Sequence, residues 1–314
     1  MTEKTLVDPN FTAQSNAQAT SKKLVRLFNA SAEIAQQSAR DAGAIFYLPR
    51  YSAMVSMPHS KPIGNEFIVK NGALQLSMIA PSLSGLPYGS LPRLMLAFLT
   101  TQAVKKKSRH IDLDQNFTAF MGMFGIRATG GTTGSISGFK RQLVSLLSTS
   151  FHTRWDGQMH TKLTNMPMTD EAMLWWTSNS ANDMNKKQSH FVLGEKFFND
   201  VRASAIPVDM RALLALKGSS LAIDIYVWLT HKMYGGNLNF GRPIPWTRLQ
   251  EQFAPGFATD AKGNWNFKRN FRQQLKLVRL MYPAANVHCC AVGVTLKPSP
   301  THIPKTYPQK SVDG

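Results

Sequence analysis

The chain has 314 residues, 43% hydrophobic and 17% charged, which suits one or two domains with real cores. Its 36 lysines and arginines against 18 acidic residues give a formal charge of +18, which calls for a polyanion or an acidic surface as partner. No apolar run approaches the roughly 18 residues that span a bilayer, no basic start and apolar core mark a signal peptide, and the adjacent Cys289 and Cys290 give no disulfide framework; a reduced cytoplasm and no membrane partner are expected.

Residues 1–20, rich in Thr, Gln, Asn, Ala and Ser, are expected to stay mobile. Residues 1–42 are nearly neutral, so the positive charge belongs to the folded part. Leu24, Leu27, Phe28 and Ile34 are in phase for a helix between Lys22 and Arg40, and Ala44 to Leu48 reads as a strand ending at Pro49. Glu66 to Lys70 and Ala73 to Ile79 read as a hairpin turning at Asn71-Gly72. A helix follows from Leu91 to Lys107, with Pro92 in its first turn, where a missing N–H costs nothing.

His110 to Leu113 is extended, Phe117 to Phe124 a short helix, and Gly125 to Gly134 a Gly/Thr-rich connection. Ser135 is placed to cap a helix to about Ser148, with Ile136, Phe139, Leu143 and Leu146 inward and Lys140 and Arg141 outward. Strands are expected at 151–156, 159–166 and 172–176, then a polar linker over 178–189. Beyond it come a strand at 190–193, a short helix at 196–202, a helix from Asp209 (a cap) to Leu216, and an apolar helix from Gly218 to Tyr234. Pro245 to Phe253 is a short helix. Val287 to Leu296 is a strand pair or wing, and Pro298-Ser299-Pro300 ends the ordered pattern.

Between the last two lies the segment Asn264 to Tyr282. Phe267, Phe271, Leu275 and Val278 fall at helical spacing on one side; Lys268, Arg272, Lys276 and Arg279 fall at the same spacing on another, with Arg269 beside them and no acidic residue. Alone, this is an ordinary amphipathic helix with a solvated basic face. The pattern, however, occurs twice: Phe98-Leu99-Thr100 echoes Trp228-Leu229-Thr230, and Phe139-Lys140-Arg141 echoes Phe267-Lys268-Arg269. Helix, strand, helix, basic helix, hairpin is the order of a winged helix, whose last helix enters the major groove. The expected fold class is α+β, with two winged-helix domains in tandem, pseudo-repeated. The divisions are 1–42 mobile segment, 43–180 first domain, 181–189 linker, 190–300 second domain and 301–314 Pro-rich tail.

Catalytic and metal chemistry finds little footing. Gly125 to Thr132 nearly spells a phosphate loop, but Gly131 stands where its lysine belongs. Asp112-Leu-Asp114-Gln-Asn116 starts like a calcium loop, yet Phe117 and Met123 replace its glycine and glutamate, and helix capping accounts better for it. No His-x-His occurs for a nicking enzyme, His152 and His160 read as structural or surface, and Cys289-Cys290 lacks further zinc ligands. Trp175, Trp176, Trp228 and Trp246 read as core. The run from Lys105 to Arg109 reads as a solvated helix end, with phosphate contact as the alternative because it closes the first helix of a DNA-binding unit. No catalytic residue, metal or cofactor is expected.

LPYGSLPRLMLAFLTTQAV from Leu86, PVDMRALLALKGSSLAIDIYVWLTHKMY from Pro207, IPWTRLQEQF from Ile244, FKRNFRQQLKLVRLMYP from Phe267 and LKPSPTHIP from Leu296 resemble the RepA-type replication initiators of broad-host-range bacterial plasmids. The resemblance spans residues 85–305. It implies a non-enzymatic protein that binds repeated sites, iterons, in double-stranded plasmid origin DNA, opens the duplex and recruits a host initiator and the replicative helicase. It also implies homodimers that repress their own gene; a repressor without a replication role is the alternative. The expected DNA contacts are Lys268, Arg269, Arg272, Lys276, Arg279 and Lys297 in the second domain, and Ser137, Lys140, Arg141 and Arg154 in the first. Arg272 is expected to read bases. The first basic helix, with Ser137, Ser145 and Ser148 outward, is expected to discriminate less by charge.

Overall fold

The structure is a computed structural model that describes residues 24–113, 116–176, 189–235, 241–256 and 258–304. The expectations for residues 1–20 and for the tail beyond residue 304 lie outside these. Two helices sit at the centre because their sequences are apolar nearly all round: α3 (Ser90–Lys106), with Leu94 to Leu99 buried without a break, and α8 (Ser220–Gly235), with Leu221 to Thr230 buried likewise. Ahead of them come α1 (residues 24–36), β1 (Ile45–Leu48), α2 (Tyr51–Met54), β2 (Glu66–Asn71) and β3 (Leu74–Ile79).

After α3 the chain runs β4 (His110–Leu113), α4 (Phe117–Met123), α5 (Ser135–Leu147), β5 (Ser150–Asp156), β6 (Thr161–Pro167), β7 (Thr169–Met173) and β8 (Ser189–Leu193). Then come α6 (Glu195–Ser204), β9 (Ile206–Asp209) and α7 (Met210–Leu216). After α8 it runs β10 (Ile244–Pro245), α9 (Trp246–Phe253), α10 (Ala261–Met281), β11 (Val287–Cys289) and β12 (Gly293–Leu296). The sheets have the orders β4-β8-β7 and β10-β12-β11, antiparallel throughout. In both, the last strand inserts between the first strand and the middle one. Helix–strand–helix–helix–strand–strand with that pairing is the winged-helix order, and the chain carries it twice.

The hairpin that follows α5 is not the first wing, contrary to the repeat read from sequence. β5 and β6 join β2 and β3 in a four-stranded sheet of order β2-β3-β5-β6. The chain turns at the buried Met168 before β7 and β8 take the wing position. The linker expected at 181–189 lies almost wholly outside the described residues, yet the strands on its two sides pair with each other and β8 also pairs with β4. β8 therefore belongs to the first unit, and the boundary at residue 190 moves beyond Leu193.

Smaller corrections have local causes. The β2–β3 turn is Gly72-Ala73, because Asn71 pairs with Leu74; Gly72 has φ +62 and Ala73 does not share the positive φ, as in a type II′ turn. Gly134 is the cap of α5, and Ser135 instead donates to Arg127 O and accepts from Thr129 N–H. β9, which Pro207 disguised, pairs with β1. Residues 301–303 are no free tail: Ile303 is buried, and the His302 ring stacks on Tyr282 at 4.8 Å. Asn116 and Asp209 do cap α4 and α7, accepting from Ala119 N–H and Arg211 N–H.

The units meet through the two central helices. Arg93 of α3 sends Nε and Nη2 to the two oxygens of Asp224 of α8, at 2.6 and 2.8 Å. Its remaining N–H groups go to the carbonyls of Met57, Pro58 and Gly89, so all five donors are used. His59 Nε2 reaches Asp224 Oδ2 at 2.8 Å. Burial pushes the Asp224 carboxyl up, but the Arg93 charge, its hydrogen bonds and His59 outweigh that and hold it below the usual carboxylate range. Lys217 adds a second tie, donating to the carbonyls of Phe124 and Gly125 at the end of α4.

Arg93→Ala strands a buried carboxylate and should cost about 3–5 kcal/mol, whereas Arg93→Met with Asp224→Leu should cost much less; urea unfolding of both variants checks this. A pH prediction comes from His231 and His302. Burial, then Lys232 and Arg50, lowers His231 from 6.5 to about 4, and burial lowers His302 as well. The unfolded chain therefore binds more protons than the folded one between pH 6.5 and about 4, and stability should fall as pH falls through that window. A pH series of melting midpoints should show the drop, and His231→Gln should flatten it.

Candidate nucleic-acid interface

The α10 helix is built for one buried and one open face. Asp260 caps it, accepting from Gly263 N–H at 2.6 Å. Phe267, Phe271, Leu275 and Val278 are buried as their phase predicts, in an aromatic cluster with Trp228, Trp246 and Phe253; Trp246 and Phe271 meet edge to face at 5.7 Å. Trp228 and Trp246 are thus core, as expected. On the opposite face Trp265, Arg269, Arg272, Lys276 and Arg279 are exposed at successive spacings of four, three, four and three residues. Lys268 is half-buried on the flank of this row rather than in it.

Among the described residues no carboxylate forms an ion pair with any cation of α10: Asp209 holds Arg211, and Glu251 pairs with Arg248. Arg272 is nevertheless engaged. Its guanidinium lies over the Trp246 ring at 5.1 Å and donates to Cys290 O at 3.2 Å. The same carbonyl accepts from Trp246 Nε1 at 3.1 Å. Arg272 therefore ties α10 to the turn between β11 and β12, so that helix and wing form one surface. Close packing sets the other side of that wing, since a Cβ at Gly293 would fall 1.9 Å from Ile244 O. Burial pushes the Cys289 thiol up despite Arg272 beside it, so the thiol stays protonated. Lys297 is exposed just beyond β12, and Val292 is exposed at the wing turn.

Trp265 is absent from the set read in the sequence. Its signal is its phase, four residues before Arg269 and out of step with Phe267 and Phe271. It is 57% exposed, and the Arg269 guanidinium stacks over its ring at 4.5 Å.

The first unit places its residues differently. Lys140 is half-buried, with Nζ over Trp176 at 4.8 Å and Phe117 at 5.8 Å. Ser137 donates to Gly131 O. Ser145, expected to face outward, is buried and donates to Ser84 O at 2.6 Å, and Gln142 accepts from Tyr88 N–H at 2.9 Å. The segment before α3 thus covers much of α5, leaving Arg141 and Ser148 exposed. Arg154 lies on β5 in the four-stranded sheet and is held by both oxygens of Asp156, at 3.0 and 2.9 Å. Of the expected contacts the structure gathers Arg269, Arg272, Lys276 and Arg279 on one face, with Lys268 at its flank and Lys297 at the wing.

The family described as plasmid encoded RepA protein matches residues 86–241, from the entry of α3 to just past α8. The crystal structure of selenomethionine derivatives of domains 2 and 3 of RctB is similar in fold, with TM-score 0.51 and 11% identity over 79% of this chain and 96% of that one. A second crystal structure of RctB domains 2–3 gives TM-score 0.46 and 11% identity, over 75% and 83% of the two chains. No curated protein matches the sequence. Among the described residues no helix is long and apolar enough to cross a membrane, and no group of three His, Cys, Asp or Glu could hold a metal ion.

Arg272→Lys keeps the charge but loses the planar fork that spans Trp246 and Cys290 O. The Cys290 amide, which donates to Gly293 O inside the wing, should then exchange its hydrogen faster. Hydrogen-exchange mass spectrometry of the two proteins reads this, and equal rates would show that the bridge does not hold the wing.

Proposed function

We propose, from the membership of residues 86–241 in the plasmid-encoded RepA family, that the chain is a plasmid replication initiator. It binds repeated sites in double-stranded origin DNA, promotes opening of the origin, recruits host replication proteins, and represses its own gene as a homodimer. It acts in the cytoplasm and cleaves no bond. The observation that supports the binding step is the outward face of α10: four cations at helical spacing, no carboxylate paired with them among the described residues, and a wing fixed beside them. A helix of this kind fits the major groove while the wing follows the backbone. The family resemblance alone supports opening and recruitment.

The covered face of α5 alters the expected balance between the units. The second unit supplies base contact and most of the phosphate contact, and the first adds Arg141. Arg272, stacked and oriented on Trp246, presents its remaining N–H groups to a guanine edge at little entropic cost. Arg269, held over Trp265, offers a second such plane one turn nearer the helix start.

Counting Arg141, Lys276, Arg279 and Lys297 as roughly four phosphate neutralisations, affinity should fall about 150-fold between about 50 and about 200 mM salt. Lys297→Ala should lower the salt slope by about 1 and weaken all duplexes alike. Fluorescence anisotropy on specific and random duplexes tests both, and a flat salt response contradicts docking through α10. An origin-only plasmid supplied with the gene in trans tests the initiator role itself: replication requires an initiator, while a simple repressor leaves the plasmid unreplicated.

A further inference from the structure

Away from α10, a cavity of about 530 Å³ opens beside the four-stranded sheet. Strand alternation builds its floor. Phe151, Thr153 and Trp155 of β5 share one face, in register with Met78, Leu76 and Leu74 of β3 and with Met166, Thr164 and Lys162 of β6. Over Phe151 the sheet is covered: the Tyr51 ring stands 5.0 Å away and the Phe197 ring of α6 stacks at 6.4 Å. Further along β5 the cover stops, and Trp155 is 45% exposed. Arg50 and Tyr51 at the start of α2 and Asp200 and Ser204 in the second half of α6 close the cavity.

Two features make this a built site rather than a packing defect. A flat indole forms part of the floor. Arg50 and Lys162 both act on one carboxylate, Asp200, so the cavity holds more positive than negative charge. An acidic peptide would use the cations but leave the indole idle.

We propose that this cavity holds one nucleotide unit, its base stacked on Trp155 and its phosphate beside Arg50 and Lys162. The volume falls within the roughly 300–1,000 Å³ usual for small-ligand sites, and stacking on an aromatic ring tolerates any base. The unit comes either from a free nucleotide or from a single strand, and the inference stands apart from duplex binding by α10.

Calorimetric titration of the full chain with ATP, dAMP, inorganic phosphate and a short single-stranded oligothymidylate tests it. Binding of ATP or dAMP identifies a free nucleotide as the source; binding of the oligothymidylate alone identifies a strand. In either case Trp155→Ala and Lys162→Ala should each weaken that binding about tenfold or more. The proposal is overturned if neither nucleotides nor the oligothymidylate bind, if binding survives Trp155→Ala and Lys162→Ala, or if inorganic phosphate binds as tightly as the nucleotides. Salt-dependent duplex binding should persist in Trp155→Ala, so failure here and failure of the origin-binding reading are told apart.

Discussion

The bond between Arg93 and Asp224 is the constraint on which the rest of the structure depends. It joins the two helices that found the two winged units, and both partners are almost wholly inside. Buried charges are tolerated only when paired and fully hydrogen-bonded. The loop carrying Met57, Pro58 and His59 meets that requirement by bringing two carbonyls and an imidazole to the pair. The pin therefore sets where that loop runs as well as how the helices cross. The apolar surfaces of α3 and α8 supply the driving force, while arrangements that separate the paired charges would leave each of them buried and unpaired.

From that arrangement the two units diverge. They share topology, but the segment leading into α3 folds back over α5, and Ser84 and Tyr88 occupy its side chains. Nothing comparable covers α10 among the described residues, and its aromatic core lets a row of cations face outward. A duplicated architecture has thus diverged, one basic helix half enclosed and the other open along its basic face, with the β5–β6 hairpin diverted into a separate sheet.

How far the sequence disclosed this depends on the range of each interaction. Helical phase is local, so the buried stripe of α10 and the caps Asn116 and Asp209 could be read directly. The wing of the first unit could not, because the nearest hairpin after α5 finds its partner in β3, 71 to 81 residues back along the chain. β9 escaped because Pro207 argues against a strand unless it lies in a short two-stranded pair, as it does with β1. Arg93 looks like any solvated helical arginine until Asp224, 131 residues away, is seen against it. Arg272 was legible as exposed but not as the link to the wing, since the Cys290 carbonyl that it meets belongs to a turn whose position only the fold defines. Trp265 was within reach of phase alone.

The double pairing of β8 bears on how the molecule can be cut. The polar stretch before residue 190 invites dissection into halves, yet β8 lies between β4 and β7 and leads through Gly194 straight into α6. A cleavage there would carry the central strand of the first sheet away with the second fragment. The first fragment would keep β4 and β7 as two unsatisfied strand edges, the kind of surface through which chains aggregate. The second would begin with an orphan strand. The halves are repeats in topology without being separable in substance: each is completed by chain that the repeat pattern assigns to the other.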